Sequence, residues 1–447
     1  MSIFNRERLG DATFKLDIDR MRTGWNSDKY FVNIAHVLTE LSKQDYTYQG
    51  KAHDLPAGLS PEGVRCGDIE VEMQIFTRRP GTTIVVGVDK ALTMLRHCSG
   101  YFEDGDYVET SEDLQVWAVH DGSKVSYEDD PRLVQPVMKI RGRYRDFALL
   151  ETVMLGILTR ASRVATNVYQ THIAAHGKPI LFFPARYDLH EVQAADGYAY
   201  NIGVQRFNMD YAGKLGAYIS TDAQGDWWGG AGGGTVAHAA IASFLGDTCE
   251  AMLAFAQVMP EDVPRIALVD FNNDCVNDSL AVCRAMFERF RHYQEAGDAD
   301  KADRYRLYGV RLDTSSALRD LSVPPLGDLA LDMGVNPRLV FLVRQALDSA
   351  AESWDIPDAW REEADAFCKA VKIVVSGGFR PEKITKFEAL KVPVDIYAVG
   401  SSLFDNHGPT VTNFTDDVVR VKVGDQWVDL SKVGRGPCDN PDLERVW

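Results

Sequence analysis

From about residue 178 onward, short apolar runs without polar alternation recur between helical stretches, and this rhythm constrains the fold more than any other feature of the chain. PILFF (179–183) comes first. RIALVD (265–270) precedes a helical stretch at 275–294. YGVRLD (308–313) is followed, after a Pro-rich loop, by a helix opening at Asn336-Pro337, a favourable N-cap and first-turn pair. KIVVSGG (372–378) leads into a helix at Pro381–Leu390, and VDIYAVG (394–400) closes the series. Strands with no polar face are buried on both sides, as in a parallel sheet covered by helices. A closed α/β barrel is the leading expectation, with an open doubly wound sheet second.

The N-terminal part reads differently. Residues 28–42 carry apolar positions at helical spacing, with Ser27 or Asp28 as N-cap. Strand-like segments follow at 67–79, 82–88, 114–122 and 134–142, and the alternation in EVEMQIF predicts one wetter face. Residues 144–177 read as one long or broken helix, and alternating β returns after 408 in VVRVKVGDQWVDL. The expected division is an N-terminal α/β sandwich over 1–145, a barrel over 146–404, and a tail over 405–447 that rejoins the first domain.

A net charge of −17 over 447 residues repels phosphate backbones and disfavours general nucleic-acid binding. Seven scattered cysteines without a CxxC pair spell neither a zinc ribbon nor a disulfide framework. No apolar run reaches 18 residues, so no membrane span is expected, and the reading is a soluble, cytoplasmic protein.

In α/β barrels the reactive groups sit at the C-terminal ends of the strands. Those ends are polar here: Arg186 after PILFF, Asp270, Arg311 with Asp313, Ser376-Gly377-Gly378, and Gly400-Ser401. Two glycine-containing turns between strand and helix, late in the barrel, favour a phosphate site made of backbone N–H groups. Asp270 and Asp313 then suit Mg²⁺ bridging phosphate and sugar oxygens, with N-capping as the plain alternative. Gly232-Gly233-Gly234-Thr235 precedes His238 in the first turn of a helix, where the dipole disfavours imidazolium and leaves a nucleophilic nitrogen.

These stretches, together with SDKYF (27–31), EDGDYV (103–108), LLETVMLGILTRASRVAT (149–166), FFPAR (182–186), GGGTVAHA (232–239) and VRLDTSS (310–316), resemble the nicotinate phosphoribosyltransferase family in its own order. The resemblance implies an irregular α/β barrel of the quinolinate phosphoribosyltransferase type (type II) beside the α/β sandwich. It implies a homodimer with shared sites, in which Tyr30 reaches the partner's cavity. The implied reaction joins nicotinate to 5-phosphoribosyl 1-diphosphate in NAD salvage, with Mg²⁺ and with ATP as co-substrate. Tyr30 and Phe183 would sandwich the pyridine ring, and Arg186 and Arg311 would meet the diphosphate substrate or the ring carboxylate. Asp270 and Asp313 would hold ribose hydroxyls or Mg²⁺. Ser376, Gly377, Gly378, Gly400 and Ser401 would cradle the 5-phosphate, and His238 would take a phosphoryl group from ATP.

Nicotinamide as the base, a metal-dependent barrel lyase using Asp270 and Asp313, and a non-catalytic nucleotide-binding relative stay open as alternatives. Residues 200–231 depart from the family's short glycine-rich strand and loop, which leaves base preference open there. Trp227 and Trp228 in that stretch could form a lid or simply pack. The cysteine-rich C-terminal knuckle of some short members is absent, so no structural zinc is expected.

Overall fold

The computed structural model describes residues 4–51, 55–56 and 58–447. In the N-terminal region lie β1 (Glu70–Thr77), β2 (Gly81–Ile84), β3 (Gly100–Glu103), β4 (Asp106–Glu109), β5 (Gln115–Ala118), β6 (Lys124–Tyr127) and β7 (Met138–Arg143). The central region holds β8 (Ile180–Phe182), β9 (Tyr218–Ile219), β10 (Ile266–Leu268), β11 (Gly309–Leu312), β12 (Lys372–Val375) and β13 (Ile396–Val399). The tail adds β14 (Phe414–Val423), β15 (Gln426–Asp429) and β16 (Glu444–Arg445).

Strands of the tail and the N-terminal region share one sheet in the order β15-β14-β1-β7-β5-β16. Val71, Met73 and Ile75 of β1 pack into a core with Leu92 and Leu95 of the helix Val88–Cys98 and with Met154 and Leu158 of the helix Glu151–Ala174. The opposite face of β1 is polar, as the alternation predicts, yet it is not wet. Glu72 and Gln74 are each 1% exposed. Glu72 accepts from Arg141 Nε at 2.6 Å and Arg420 Nη1 at 2.8 Å, while Gln74 bonds the backbone of Gly436 and Cys438. A buried carboxylate is tolerated only when paired and hydrogen-bonded, which two guanidiniums achieve here.

One local expectation is corrected and another refined. The segment 82–88 is not one strand: β2 ends at Ile84, and Gly87 at φ +104 turns the chain into a helix starting at Val88. Asp28 stands at the N-cap of the helix Lys29–Lys43, but its carboxylate makes no cap bond. It accepts from Thr152 Oγ1 at 3.1 Å instead, tying that helix to the one that begins at Glu151.

The central strands form a parallel sheet in the order β10-β11-β12-β13-β8-β9. Among the described residues no ladder joins β9 to β10, so the sheet is a curled, open half-barrel rather than a closed one. Its strands lack alternation because both faces are covered. Ile266, Val374, Ile396 and Ala398 pack together on the concave side. Ile373, Val375, Tyr397 and Val399 pack outward against the helices. The helix at 337–349 opens as predicted, with Asn336 Oδ1 accepting from Leu339 N at 3.1 Å.

Residues 193–211, which overlap the start of the stretch that departs from the family's short strand and loop, form a helix. It is buried nearly all round, so it carries no amphipathic stripe that a periodicity could reveal. Trp227 packs edge-on against Phe14 at 5.0 Å, and Trp228 donates to Gln224 O at 2.8 Å, so both indoles are packing groups.

Candidate active site

The register of the half-barrel decides which side chains converge. Leu268 pairs with Arg311, Arg311 with Val374, Val374 with Ile396, and Ala398 with Leu181. Side chains in one pleat phase share a face. Two residues beyond this row lie Asp270, Asp313, Ser376, Gly400 and Phe183, at or past the C-terminal strand ends.

A cavity of about 460 Å³ opens there. Phe183, Arg186, His238, Arg311, Asp313, Ser376, Gly377, Gly378, Gly400 and Ser401 all line it. The sequence reading did not single out Tyr187, Ser220 and Phe379, which also face it. Tyr187 is only the next residue after FFPAR, and Ser220 follows a two-residue strand too short to read. Asp270 lies behind the wall, on His238. Tyr30 is not in its own protomer's cavity: it is 63% exposed, with its ring against Phe31.

Arg311 is held rather than free. Its Nη2 donates to Val236 O at 2.9 Å, its Nε has no partner, and its guanidinium lies 5.9 Å from the Phe183 ring centre. Burial pushes its pKa down from the usual value, while Asp313 and Asp270 oppose that shift. Arg186 is exposed, 5.2 Å from the Tyr187 ring centre, and bonds the Tyr187 hydroxyl at 3.3 Å. Among the described residues neither arginine has a carboxylate within ion-pair distance, so both can accept an incoming anion.

His238 opens the helix His238–Ser243, and its Nε2 lies 3.0 and 3.1 Å from the two oxygens of Asp270. An ionised Asp270 accepts a hydrogen bond from Nε2–H, which keeps the proton on Nε2 and leaves the lone pair on Nδ1. Burial raises the Asp270 pKa, and the His238 hydrogen bond works against that rise. Asp313 Oδ1 accepts from Ser376 Oγ at 2.8 Å. The two aspartates sense each other, since the Asp313 charge adds to the Asp270 rise. Asp313 faces the cavity, whereas both oxygens of Asp270 are taken up by His238 behind the wall, so the two carboxylates expected to share a cation do not open onto the cavity together.

Gly377 and Gly378 adopt φ +86 and +70, a left-handed pair that L side chains resist. A Cβ on Gly377 would also stand 3.3 Å from Asp313 Oδ1. Neither N–H is bonded within the described chain, as a phosphate cradle requires. Ser402 Oγ donates to Phe379 O at 2.8 Å and ties this loop to the one after β13.

Residues 62–162 match the family described as quinolinate phosphoribosyl transferase, N-terminal domain. The fold is similar to nicotinate-nucleotide pyrophosphorylase from Pyrococcus furiosus, with TM-score 0.63 and 24% identity over 94% of this chain and 80% of that one. It is also similar to human nicotinic acid phosphoribosyltransferase, with TM-score 0.55 and 16% identity over 88% and 74% of the two chains. The domain match identifies residues 62–162 as a quinolinate phosphoribosyl transferase-type N-terminal domain, and the structural neighbours share the fold. No helix among the described residues is long and apolar enough to cross a membrane.

Proposed function

We propose that this chain, with the N-terminal domain and fold of the phosphoribosyltransferases of NAD biosynthesis, transfers the phosphoribosyl group of 5-phosphoribosyl 1-diphosphate to nicotinate. One observation carries the reading: a single cavity sets two guanidiniums without ion-pair partners against a loop of unbonded glycine N–H groups. Such a cavity fits a substrate that is anionic at both ends.

Phe183 offers an aromatic face to the pyridine ring, and Arg186 or Arg311 meets its carboxylate. The pyridine nitrogen already carries the attacking lone pair, so the site needs no strong base. Its bond to the anomeric carbon forms as the bond to diphosphate breaks. Asp313, beside the sugar, stabilises the cationic character that develops there, and the arginines stabilise the departing charge. Asp313, which faces the cavity, would hold Mg²⁺, whose contribution is to neutralise the diphosphate. In an ATP-coupled cycle, Nδ1 of His238 takes the γ-phosphoryl group of ATP as its bond to the departing ADP breaks, with Asp270 holding the ring.

The N-terminal domain match also admits quinolinate, a dicarboxylate. The cavity wall presents Arg186 and Arg311 but no lysine, which matches one carboxylate and one phosphorylated sugar better than two carboxylates. Nicotinate, nicotinamide and quinolinate should each be incubated with phosphoribosyl diphosphate and Mg²⁺, with and without ATP. Nicotinate mononucleotide is expected, favoured over the nicotinamide product by about ten-fold or more, because a charge-assisted contact contributes roughly 1.5–3 kcal/mol. Equal turnover of both bases would remove the nicotinate assignment, and no mononucleotide from any base would remove the reaction.

A further inference from the structure

Lys383 occupies the first turn of the helix Pro381–Ala389, directly behind the Gly377-Gly378 loop. Its Nζ donates to Gly377 O at 3.3 Å and lies 4.0 Å from the Phe379 ring centre, with Phe387 at 5.8 Å. Phe379 and both glycines face the cavity, so the ammonium sits one layer behind its wall.

Two features of this placement oppose a cation in the free protein. The N-terminal end of a helix repels positive charge. Burial lowers the Lys383 pKa to about 8, and no neighbouring carboxylate offsets it. The nearby Arg380 is engaged with Asp405 at 3.6 Å, so it does not compete for the loop. A weak carbonyl bond and a ring face are all that hold the charge.

We propose that Lys383 is the cationic partner of a phosphomonoester bound on the Gly377-Gly378 loop, moving from Gly377 O to the phosphate when that anion enters the cavity. The inference rests on the phosphoribosyl reading above and adds to it a lysine that no motif marked. The glycine N–H groups are neutral donors. A dianionic 5-phosphate seated on them calls for a full positive charge at short range, and Lys383 is the uncommitted cation touching this loop among the described residues. Binding would relieve the desolvated ammonium as well as the phosphate, so the phosphate charge is recognised selectively over an uncharged hydroxyl.

The alternative is a lysine that merely lays its methylene stem on Phe379 and Phe387. Lys383→Met keeps that stem and removes the charge, and Lys383→Arg restores the charge. Calorimetry with ribose 5-phosphate and with inorganic phosphate reads binding directly, and steady-state kinetics give KM for phosphoribosyl diphosphate and for nicotinate separately. Lys383→Met should weaken ribose 5-phosphate and raise KM for phosphoribosyl diphosphate by roughly ten- to hundred-fold, leaving KM for nicotinate in place. Lys383→Arg should recover most of the loss. A Lys383→Met protein that melts like wild type and binds ribose 5-phosphate as tightly overturns the proposal. If Lys383→Met fails to fold, Lys383→Gln takes its place under the same criteria. Lys383-dependent phosphate binding in an enzyme that turns over none of the three bases would uphold this site while removing the reaction.

Discussion

Tyr30 separates a shared active site from a self-contained one. In its own protomer the side chain is 63% exposed, its hydroxyl reaches only Asp28 at 3.5 Å, and its ring touches Phe31. Tyr30→Ala therefore removes almost no native burial and should change stability by about 0.5 kcal/mol or less. If the ring instead stacks on the pyridine in the partner's cavity, its loss removes an aromatic pair and its buried area, a cost of roughly ten-fold in turnover. Asp313→Ala should be inactive from the barrel side. Equal mixing after subunit exchange gives half heterodimers, each with one of its two sites intact, so turnover should reach about one quarter of wild type. Without sharing, Tyr30→Ala alone has no cause to lose turnover, since Tyr30 lies outside its own cavity, and the mixture stays at about one half because only the Asp313→Ala chains are inactive. Differently tagged chains, tandem purification of the heterodimer and an assay of mononucleotide formation decide between the two. Tyr30→Ala homodimers that turn over like wild type would refute the shared site, whereas a roughly ten-fold loss in them that is rescued to about one half of wild type in the purified heterodimer upholds it.

Arg186→Gln should melt like wild type, because Arg186 is exposed and has no carboxylate partner, yet lose roughly ten-fold in kcat/KM for nicotinate with little change for nicotinamide. His238→Ala should lose acid-labile label from γ-labelled ATP while keeping basal transfer, and label retained in a well-folded variant would exclude the phosphoryl role. Glu151, 2% exposed and bonded by the Tyr144 hydroxyl at 2.6 Å, is pushed up by burial and by the Asp416 charge. A folded-state pKa raised above the unfolded value gives stability that is full in acid and lost as pH rises through it. Glu151→Gln should therefore melt with wild type near pH 5 and above it near pH 9, as thermal unfolding across pH will show.

The half-barrel strands are legible because burial on both faces erases alternation and leaves apolar runs with polar ends. The glycine turns at 377–378 are legible because few other residues accept those dihedrals, and His238 because its helix start is local. The helix at 193–211 is not, since a helix buried on all sides loses the very periodicity that would reveal it. Nor does β1 announce that Glu72 is buried, because the arginines that neutralise it lie 69 and 348 residues away. By itself the sequence determined which segments are strands, which ends are polar and where the chain turns, all set by burial pattern and backbone preference over a few residues. The tertiary structure alone decided that the sheet stays open, that Asp270 serves His238 across 32 residues, and that Lys383 stands behind the glycine loop with no carboxylate partner among the described residues. Those facts depend on register and on distances between segments far apart in the chain, which no local pattern of residues encodes.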